Sequence, residues 1–434
     1  MPSKPSIPSV RVSARIADVR YEIRGDLARR AAEFEAAGRA IVKLNIGNPG
    51  LFGFAVPEHV RAAIEANLAR SEAYCHQKGI LPAREAIVEQ MHAHGVAAAH
   101  PDRIFIGNGV SELIDLALRT LLDPGDEVLL PSPDYPLWSA ATTLNGGRPV
   151  YYPCPAGRAH LPDAGEIEAL ITPRTRALVI INPNNPTGAV YPRALLEALV
   201  AVAARHRLTL LSDEIYDEIL YDGTTFVSLA GLAGDVPCLT FDGLSKVQRA
   251  CGYRVGWLSL TGAPAALATI EHGLDLLASL RLCANVPGQW AIEPSLRGAD
   301  TISLLTAAGG RLHETRRAVL DACAASAYLD VVAPQGALYA YPAVDRARLP
   351  AFDDDAFALA LLEEENVLVV PGSGFNDGTR RHFRITLLPQ SAAMRDCFER
   401  IERTLARLGN APSSTSALAI ERPGGATRVS MQAA

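Results

Sequence analysis

The fold class is decided by residues 177–214, which have the sequence ALVIINPNNPTGAVYPRALLEALVAVAARHRLTLLSDE. Two apolar runs, at 177–183 and 208–214, flank a segment with helical spacing at 192–205. Neither run alternates apolar with polar residues, as a strand with one solvated face would do. Two strands that are buried on both faces and joined through a helix are typical of a parallel sheet covered by helices.

The same alternation of apolar strands and helices extends from this stretch in both directions. Further strands are predicted at 104–107, 127–133, 148–153, 238–243 and 254–260. Together with the first two runs they make seven. The sequence therefore predicts an α/β fold with a mostly parallel, seven-stranded sheet.

After about residue 300 the pattern changes to short strands, predicted at 337–344, 367–375 and 382–388, with helices at 354–365 and 391–408. This mixture predicts a second, smaller α+β domain. We expect an N-terminal arm at 1–20, an N-terminal segment packing with the small domain at 21–50, a large domain at 51–300, a small C-terminal domain at 301–408 and a disordered tail at 409–434.

The composition argues against several classes of protein. Of 434 residues, 49% are hydrophobic and 20% are charged, which is typical of a globular chain. The net charge of −6 argues against a nucleic-acid-binding surface, and no apolar run reaches the length of about 18 residues that a membrane span needs. The N-terminus lacks the apolar core of a secretory signal, and the seven cysteines are scattered without a CxxC pair. We therefore expect reduced cysteines and a cytoplasmic location.

The nearest candidates for metal ligands are His92 and His94 in the sequence MHAHG, followed by His100. They lie at the end of a predicted helix, and no cysteine or pair of carboxylates is close to them in the sequence. We expect these histidines to be exposed to solvent, and we predict no metal site.

Lysine is rare, since the chain contains only Lys4, Lys43, Lys78 and Lys246. Lys246 lies in the small, apolar, glycine-rich sequence FDGLSKVQRACGYRVGW (241–257), so we expect it to be partly buried. Burial lowers the pKa of an ammonium group, and lysine, unlike arginine, can then act as a nucleophile, Schiff-base partner or proton carrier. Taken alone, a lysine in a surface turn explains this residue equally well.

Ligands of open α/β sheets bind at the carboxyl ends of the strands, and polar residues of this chain collect there. A helix start at Gly109–Ser111 offers free N–H groups to an anion, although a serine N-cap explains Ser111 equally well. Asp213 ends an apolar strand, so we expect it to be buried and to need a cationic partner. The other polar or aromatic residues at these ends are Tyr135, Asn185 and Tyr216.

This set of residues suits pyridoxal 5′-phosphate (PLP). The phosphate would lie at the helix start at Val110, the ring would stack on Tyr135, Asp213 would pair with the pyridinium nitrogen, and Lys246 would form the Schiff base. Tyr135 and Tyr216 could each be plain core aromatics, so no single residue decides the assignment.

The motifs NPNNPTG, DEIY, SK and GYRVGW, in this order, resemble those of the fold-type-I PLP-dependent aminotransferases of class I. Longer segments such as GNGVSELI, PDYPLW, INPNNPTGAVYP and RLCANVPGQ resemble the bacterial alanine aminotransferase group, over about residues 18–408. The resemblance implies fold type I, an aminotransferase activity and a homodimer with shared active sites.

The resemblance also implies a role for each matching residue. Lys246, preceded by Ser245 in the cofactor site, would move the proton at the substrate Cα, and Asp213 would keep the cofactor ring nitrogen protonated. Tyr216 and Asn185 would donate hydrogen bonds to the cofactor's phenolic oxygen. The cofactor phosphate would be bound by Arg254, Gly109, Val110 and Ser111, and Tyr74 would reach the phosphate of the neighbouring subunit. Arg384 would bind the substrate α-carboxylate through two hydrogen bonds, and Gly47 would lie alongside the substrate.

We therefore expect a ping-pong transfer of an amino group between an L-amino acid and a 2-oxo acid, most simply alanine or glutamate with pyruvate or 2-oxoglutarate. Val247, Gln248 and the loop at 154–163, which is short and lacks a tryptophan, depart from the resemblance and could alter the pocket wall or entrance. The alternative is a specialised fold-type-I enzyme for an unusual amino acid. A transcription regulator of this fold would need a DNA-binding domain, for which residues 1–20 are too short. Arg281 is a weaker candidate for a second carboxylate partner, because arginines at helix ends are common.

Overall fold

The computed structural model describes residues 11–410. The predicted tail therefore lies outside the described residues except for its first two positions, as do the first ten residues of the predicted arm. Among the described residues, no helix combines the length and apolar character that crossing a membrane requires.

The strands are β1 Val42–Lys43, β2 Ile104–Gly107, β3 Glu127–Ser132, β4 Arg148–Pro153, β5 Thr175–Ile181, β6 Thr209–Asp213, β7 Cys238–Gly243, β8 Gly256–Thr261, β9 Leu329–Asp330, β10 Tyr339–Ala340, β11 Ala343–Val344, β12 Val367–Leu368, β13 Val370–Pro371 and β14 Phe383–Thr386. The helices are α1 Asp26–Ala36, α2 Glu58–Asn67, α3 Leu81–Ala93, α4 Val110–Leu121, α5 Pro136–Leu144, α6 Ala164–Ala169, α7 Arg193–His206, α8 Ala230–Ala233, α9 Pro264–Leu280, α10 Val286–Gln289, α11 Ile292–Arg297, α12 Ser303–Thr306, α13 Arg311–Ala325, α14 Asp354–Glu365 and α15 Ser391–Asn410.

The main sheet has seven strands in the order β2-β8-β7-β6-β5-β3-β4. Only β8 runs antiparallel to its neighbours, so the predicted α/β fold with a mostly parallel seven-stranded sheet is confirmed. Gly256, the first residue of β8, pairs with Gly107 and Gly243, the last residues of β2 and β7. The segment that precedes β8 therefore lies at the edge where the parallel strands end.

Both faces of the sheet are buried, which explains why its strands are continuous apolar runs. In β5, Leu178 and Ile180 pack into a cluster on one face, and Val179 and Ile181 pack into the cluster on the other. Helices α3, α7 and α11 contribute to the first cluster, and α4, α5 and α9 to the second. Each fully buried Leu, Ile or Val side chain stabilises the fold by about 1.5–3 kcal/mol relative to an exposed one.

A third cluster is formed mainly by residues between 302 and 405, and it also includes Leu27, Ala31 and Leu44 from the N-terminal segment. Around it lie three small sheets, with the strand orders β10-β14-β13, β9-β11 and β1-β12. In the last of these, β1 of the N-terminal segment pairs in parallel with β12. The domain boundaries given above stay predictions.

Three predicted strands differ from the observed ones. The segment 337–344 is split into β10 and β11 around Pro342, which has no N–H to donate to a ladder. The segment 367–375 changes partners after β12, and its end is a 3₁₀ helix at Gly372–Phe375. The strand predicted at 254–260 begins only at Gly256, because Arg254 adopts a left-handed backbone conformation with φ +54°.

Candidate active site

A cavity of about 680 Å³ opens where the parallel strands of the main sheet end. The loops that follow those strands, and the segment before the reversed strand β8, bring their polar side chains to this edge. The predicted site residues that line the cavity are Gly47, Val110, Ser111, Tyr135, Asn185, Asp213, Tyr216, Ser245, Lys246, Arg254 and Arg384.

Lys246 follows β7 and is half-buried at the cavity wall. Its Nζ donates a hydrogen bond of 2.8 Å to the carbonyl oxygen of Gly47. The loop that carries it is closed by Cys251, whose Sγ donates to the carbonyl oxygen of Ser245 over 2.8 Å. The amine is thus held by one neutral acceptor and is free of any carboxylate partner in the part of the chain described here.

Asp213 is the last residue of β6 and is 3% exposed. Its Oδ2 accepts a hydrogen bond of 3.1 Å from Nε1 of Trp138, and no ion pair reaches it from within residues 11–410. Burial raises the pKa of this carboxyl group to about 6, although the Trp138 N–H and the positive charge of Lys246 oppose the shift. A buried carboxyl group at a cavity wall, without a protein cation, fits a cationic group on a ligand.

Trp138 is a site residue that is not predicted from the sequence. Its indole is fully buried and packs edge-to-face on Phe241, with ring centroids 5.2 Å apart. The only signal in the sequence is its position in the motif PDYPLW, three residues after Tyr135. That spacing does not tell which of the two aromatic rings faces the cavity and which one supports Asp213.

Arg384 lies in β14 and is 1% exposed. Its Nη1 donates to Oδ1 of Asn185 over 3.0 Å, and its Nη2 donates to the carbonyl oxygen of Asn45. The guanidinium carbon lies 4.2 Å from the ring centroid of Tyr339 and 4.7 Å from that of Phe375. Its Nε has no partner, and no carboxylate of the described chain pairs with this charge. The site therefore holds a buried cation that an anionic ligand can neutralise.

Tyr216 and Tyr339 form a hydrogen-bonded pair with their hydroxyl oxygens 3.2 Å apart. Burial works against ionisation of Tyr339, but the positive charges of Lys246 and Arg384 outweigh it and lower the pKa of this tyrosine. A Cβ added to Gly47 would lie 2.2 Å from the Tyr339 hydroxyl oxygen, so only glycine fits at that position. Tyr339 was missed by the sequence analysis, because its short strand gives too little alternation to show which side chains face the cavity.

The predicted anion site is formed by the start of α4 and by Arg254. Gly109 precedes α4 with φ +84°, and a Cβ there would lie 2.3 Å from Nη2 of Arg254. Arg254 is exposed, its Nη1 donates to the carbonyl oxygen of Cys251 over 2.9 Å, and it has no ion pair within the described residues. The free N–H groups of the helix start and this guanidinium, together with Ser111 at the cavity wall, can bind a phosphate group.

Tyr135 is half-buried at the cavity, and its hydroxyl oxygen lies 3.5 Å from that of Tyr21. Residues 21–50 are predicted from the sequence to pack with the small domain, and no role in the site is predicted for Tyr21. In the structure Tyr21, Ile23 and Arg24 line the same cavity. The N-terminal segment thus closes one side of the site.

Two predicted site residues do not line the cavity. They are Gly109, the residue before α4, and Tyr74, which is 77% exposed. Arg281 is neutralised by Glu112, with a distance of 2.8 Å between Nη1 and Oε2, so it is unavailable to a substrate carboxylate.

The residues that depart from the resemblance do not line the cavity either. Val247 packs into the third cluster, and Nε2 of Gln248 donates to the carbonyl oxygen of Ser295 over 3.2 Å. In the loop at 154–163, Cys154 and His160 are buried. None of these positions is among the residues that line the cavity, so the expected change to the pocket wall or entrance has no direct contact behind it and stays a prediction.

Comparison with known proteins agrees with this geometry. Residues 39–401 match the family "Aminotransferase class I and II". An alanine aminotransferase of Mycobacterium tuberculosis is 46% identical over 390 residues, which cover 90% of this chain and 91% of that protein. The glutamate-pyruvate aminotransferase AlaA of Escherichia coli is 45% identical over 378 residues, covering 87% of this chain and 93% of that protein.

Solved structures give the same answer. The chain superimposes on an aminotransferase from Escherichia coli with a TM-score of 0.90 and 43% identity, covering 92% of this chain and 99% of that one. An alanine aminotransferase from Pyrococcus furiosus gives a TM-score of 0.87 and 34% identity, with coverage of 92% and 100%. The chain therefore has fold type I and belongs to the class I and II aminotransferases, the enzymes that transfer amino groups.

Proposed function

We propose that this enzyme uses PLP to transfer the amino group between alanine or glutamate and pyruvate or 2-oxoglutarate, in two half-reactions with ping-pong kinetics. The observation that carries the proposal is the buried guanidinium of Arg384, which has no carboxylate partner in the described chain and shares one cavity with Lys246 and Asp213. An α-amino acid brings the carboxylate that this cation lacks.

The residues of the cavity fit PLP. Asp213 would hold the ring nitrogen in its protonated form, and the start of α4 and Arg254 would bind the phosphate. Tyr135, which lines the same cavity, would stack on the ring. Hydrogen bonds to the phenolic oxygen would come from Tyr216 and Asn185. When bound, PLP supplies an electron sink for the electron pair that is released at the substrate Cα.

The protein's own part in the reaction is to orient the substrate and to move one proton. Arg384 would bind the α-carboxylate through two parallel N–H···O bonds, which fixes the position of Cα. Lys246, as the neutral amine, would remove the proton from Cα of the amino acid and would return a proton to Cα when the oxo acid reacts. Its position beside the carbonyl of Gly47 keeps this amine at the substrate side of the cavity.

The choice of alanine and glutamate is supported by the relatives. The Mycobacterium tuberculosis and Escherichia coli proteins are called alanine aminotransferase and glutamate-pyruvate aminotransferase, and both align over most of this chain. The alternative of a specialised enzyme for an unusual amino acid finds no support among these names. A transcription regulator of the same fold finds no support among them either.

We also propose a homodimer with shared active sites. Tyr74 is exposed and does not line the cavity of its own chain, as expected of a residue that serves the neighbouring subunit. Further large apolar side chains are exposed at Leu51 (72%) and Leu280 (73%), which suits a surface that is covered in a dimer. The cytoplasmic location stays a prediction.

The first test is the absorbance spectrum of the purified enzyme during addition of single amino acids, with no oxo acid present. Alanine and glutamate should each shift the band of the bound cofactor, and pyruvate should restore it. The variant Lys246→Ala should lack the band of the lysine-bound cofactor. If another amino acid shifts the band while both alanine and glutamate leave it unchanged, the substrate assignment is wrong. A wild-type spectrum identical to that of Lys246→Ala would reject the role of the lysine.

A further inference from the structure

Behind the active site lies a group of four carboxyl groups, which we call the acidic cluster: Glu214, Asp217, Glu218 and Asp242. Glu214 and Asp217 are 5% exposed, Asp242 is 9% exposed, and Glu218 is half-buried. No lysine or arginine between residues 11 and 410 forms an ion pair with any of them. Buried carboxylates without a cation are costly, so this cluster needs either protons or a bound cation.

His94, at the end of α3, approaches the same cluster. Its Nδ1 lies 3.8 Å from Oδ2 of Asp217, and one ligand atom each of His94, Asp217 and Glu218 lie within 4.8 Å of one another. The second oxygens are already used, since Oδ1 of Asp217 accepts from the N–H of Glu218 over 2.8 Å, and Oε1 of Glu218 accepts from Gln90 over 3.0 Å. These bonds fix both carboxylates while leaving one oxygen of each available.

A separate observation points to a ligand at this place. Beside His94 and Asp217 lies a cavity of about 20 Å³, which is also lined by Asp242 and Ser259 but not by Glu218, and it has room for about one ion or water molecule. Ser259 is 1% exposed, and its Oγ has no hydrogen-bond partner among the described residues. A buried hydroxyl group that lacks a partner beside such a cavity suits one bound ion or water molecule.

A second group of acidic residues in the same chain shows the ordinary arrangement. Arg380 neutralises Asp353, Asp354 and Asp355, with Nη2 to carboxylate distances of 2.6, 3.1 and 2.9 Å. That group therefore has its cation within the protein. The acidic cluster beside His94 has no such cation among the described residues. A variant of the Arg380 group can therefore serve as the control for variants of the acidic cluster.

We propose that His94, Asp217 and Glu218 bind a divalent transition-metal ion such as Mn²⁺ or Zn²⁺ between α3 and the turn after β6. An imidazole nitrogen combined with carboxylate oxygens suits these ions better than Ca²⁺, which prefers six to eight oxygen ligands. The same turn carries Tyr216 and follows directly after Asp213, the last residue of β6. The ion would thus fix the end of α3 against the turn that positions two residues of the active site.

No metal site is predicted from the sequence, because no cysteine or pair of carboxylates lies near His94 in the chain. The fold supplies them from residues that follow β6. This inference does not depend on the identity of the amino-acid substrate.

The test is a titration of the PLP-loaded enzyme with Mn²⁺, in which the electron paramagnetic resonance signal of free Mn²⁺ reports binding. We expect one Mn²⁺ per chain and a melting temperature that rises with saturation. Glu218→Gln and His94→Ala should each weaken binding by about tenfold or more, since even changes outside the direct ligands cost about 10- to 100-fold. The control Asp353→Asn should leave the affinity unchanged.

Three results would overturn the proposal: no saturable binding to the wild type, unchanged affinity in Glu218→Gln, or an equal loss in Asp353→Asn. Circular dichroism in the absence of metal checks that each variant is folded. If His94→Ala does not fold, Glu218→Gln decides alone, because this half-buried side chain lies at the edge of the cluster and its removal leaves the buried core intact.

Discussion

The replacement Arg384→Lys tests the site most directly. Lysine keeps the positive charge but cannot form two parallel hydrogen bonds to a carboxylate, and it cannot reach both Asn185 and Asn45 as the guanidinium does. A hydrogen bond to a charged group is worth about 1.5–3 kcal/mol, so the loss of one such bond should lower kcat/KM for alanine by about 10- to 150-fold. The buried position, 1% exposed, prevents water from replacing the missing donor.

The assay compares kcat/KM for alanine with the rate at which ethylamine, which has no carboxylate, shifts the cofactor absorbance. Arg384→Lys should reduce kcat/KM for alanine and leave the rate of the reaction with ethylamine nearly unchanged. The matched control is Arg281→Lys, since this arginine pairs with Glu112 and lies outside the cavity, and its kcat/KM should stay within about twofold of wild type. Equal effects on alanine and ethylamine, or equal effects in the two variants, would refute the assignment of Arg384 to the α-carboxylate.

Three further predictions concern other parts of the site. The pKa of Asp213 in the folded protein, about 6, lies above the ~3.9 of an unfolded aspartate, so its ionisation destabilises the cofactor-free enzyme as pH rises from about 4 to 6. The free energy of unfolding of cofactor-free Asp213→Asn, measured in urea, should therefore exceed that of the wild type by up to about 3 kcal/mol at pH 7 and should equal it at pH 4. A difference between the two proteins that does not change with pH would contradict this prediction. Gly47→Ala should reduce kcat at least tenfold, about 1.4 kcal/mol, because the new Cβ would collide with the Tyr339 hydroxyl group. Adding Tyr339→Phe to this variant should restore part of the lost kcat. An unchanged kcat in Gly47→Ala would contradict the prediction. Tyr74→Phe should weaken PLP binding by about tenfold in a spectral titration. The control Tyr151→Phe, at a residue outside the cavity, should leave PLP binding unchanged. Equal affinities of the two variants for PLP would argue against an active site shared between subunits.

Much of the fold could be predicted from local sequence. Continuous apolar runs such as 177–183 are recognisable because a strand covered on both faces needs apolar side chains in both directions. The site edge followed from the same pattern, since parallel strands all end on one side, and this brought Asp213, Asn185 and Tyr135 to one cavity. The resemblance to known aminotransferases then supplied Arg384 and Arg254, which periodicity alone would not have selected.

Other features depend on contacts between residues far apart in the chain. Trp138 supports Asp213, and Tyr339 lies between Gly47, Tyr216 and Arg384, but neither role has a local signature. A hydrogen bond between two distant side chains depends on how the elements pack, and many sequences with the same local pattern would pack differently.

The sequence by itself therefore determined the fold class, the edge of the sheet that carries the site and the lysine at its centre. The first two follow from burial and strand direction, which the hydrophobic pattern records, whereas the lysine is indicated by its rarity and by the resemblance to known aminotransferases. Only the tertiary structure decided that β8 runs antiparallel to its neighbours, which brings Arg254 to the cavity beside the start of α4, and that His94 lies close to Asp217 and Glu218. Strand order and helix packing depend on shape complementarity between surfaces formed by residues far apart in the chain, so no single stretch of sequence determines them.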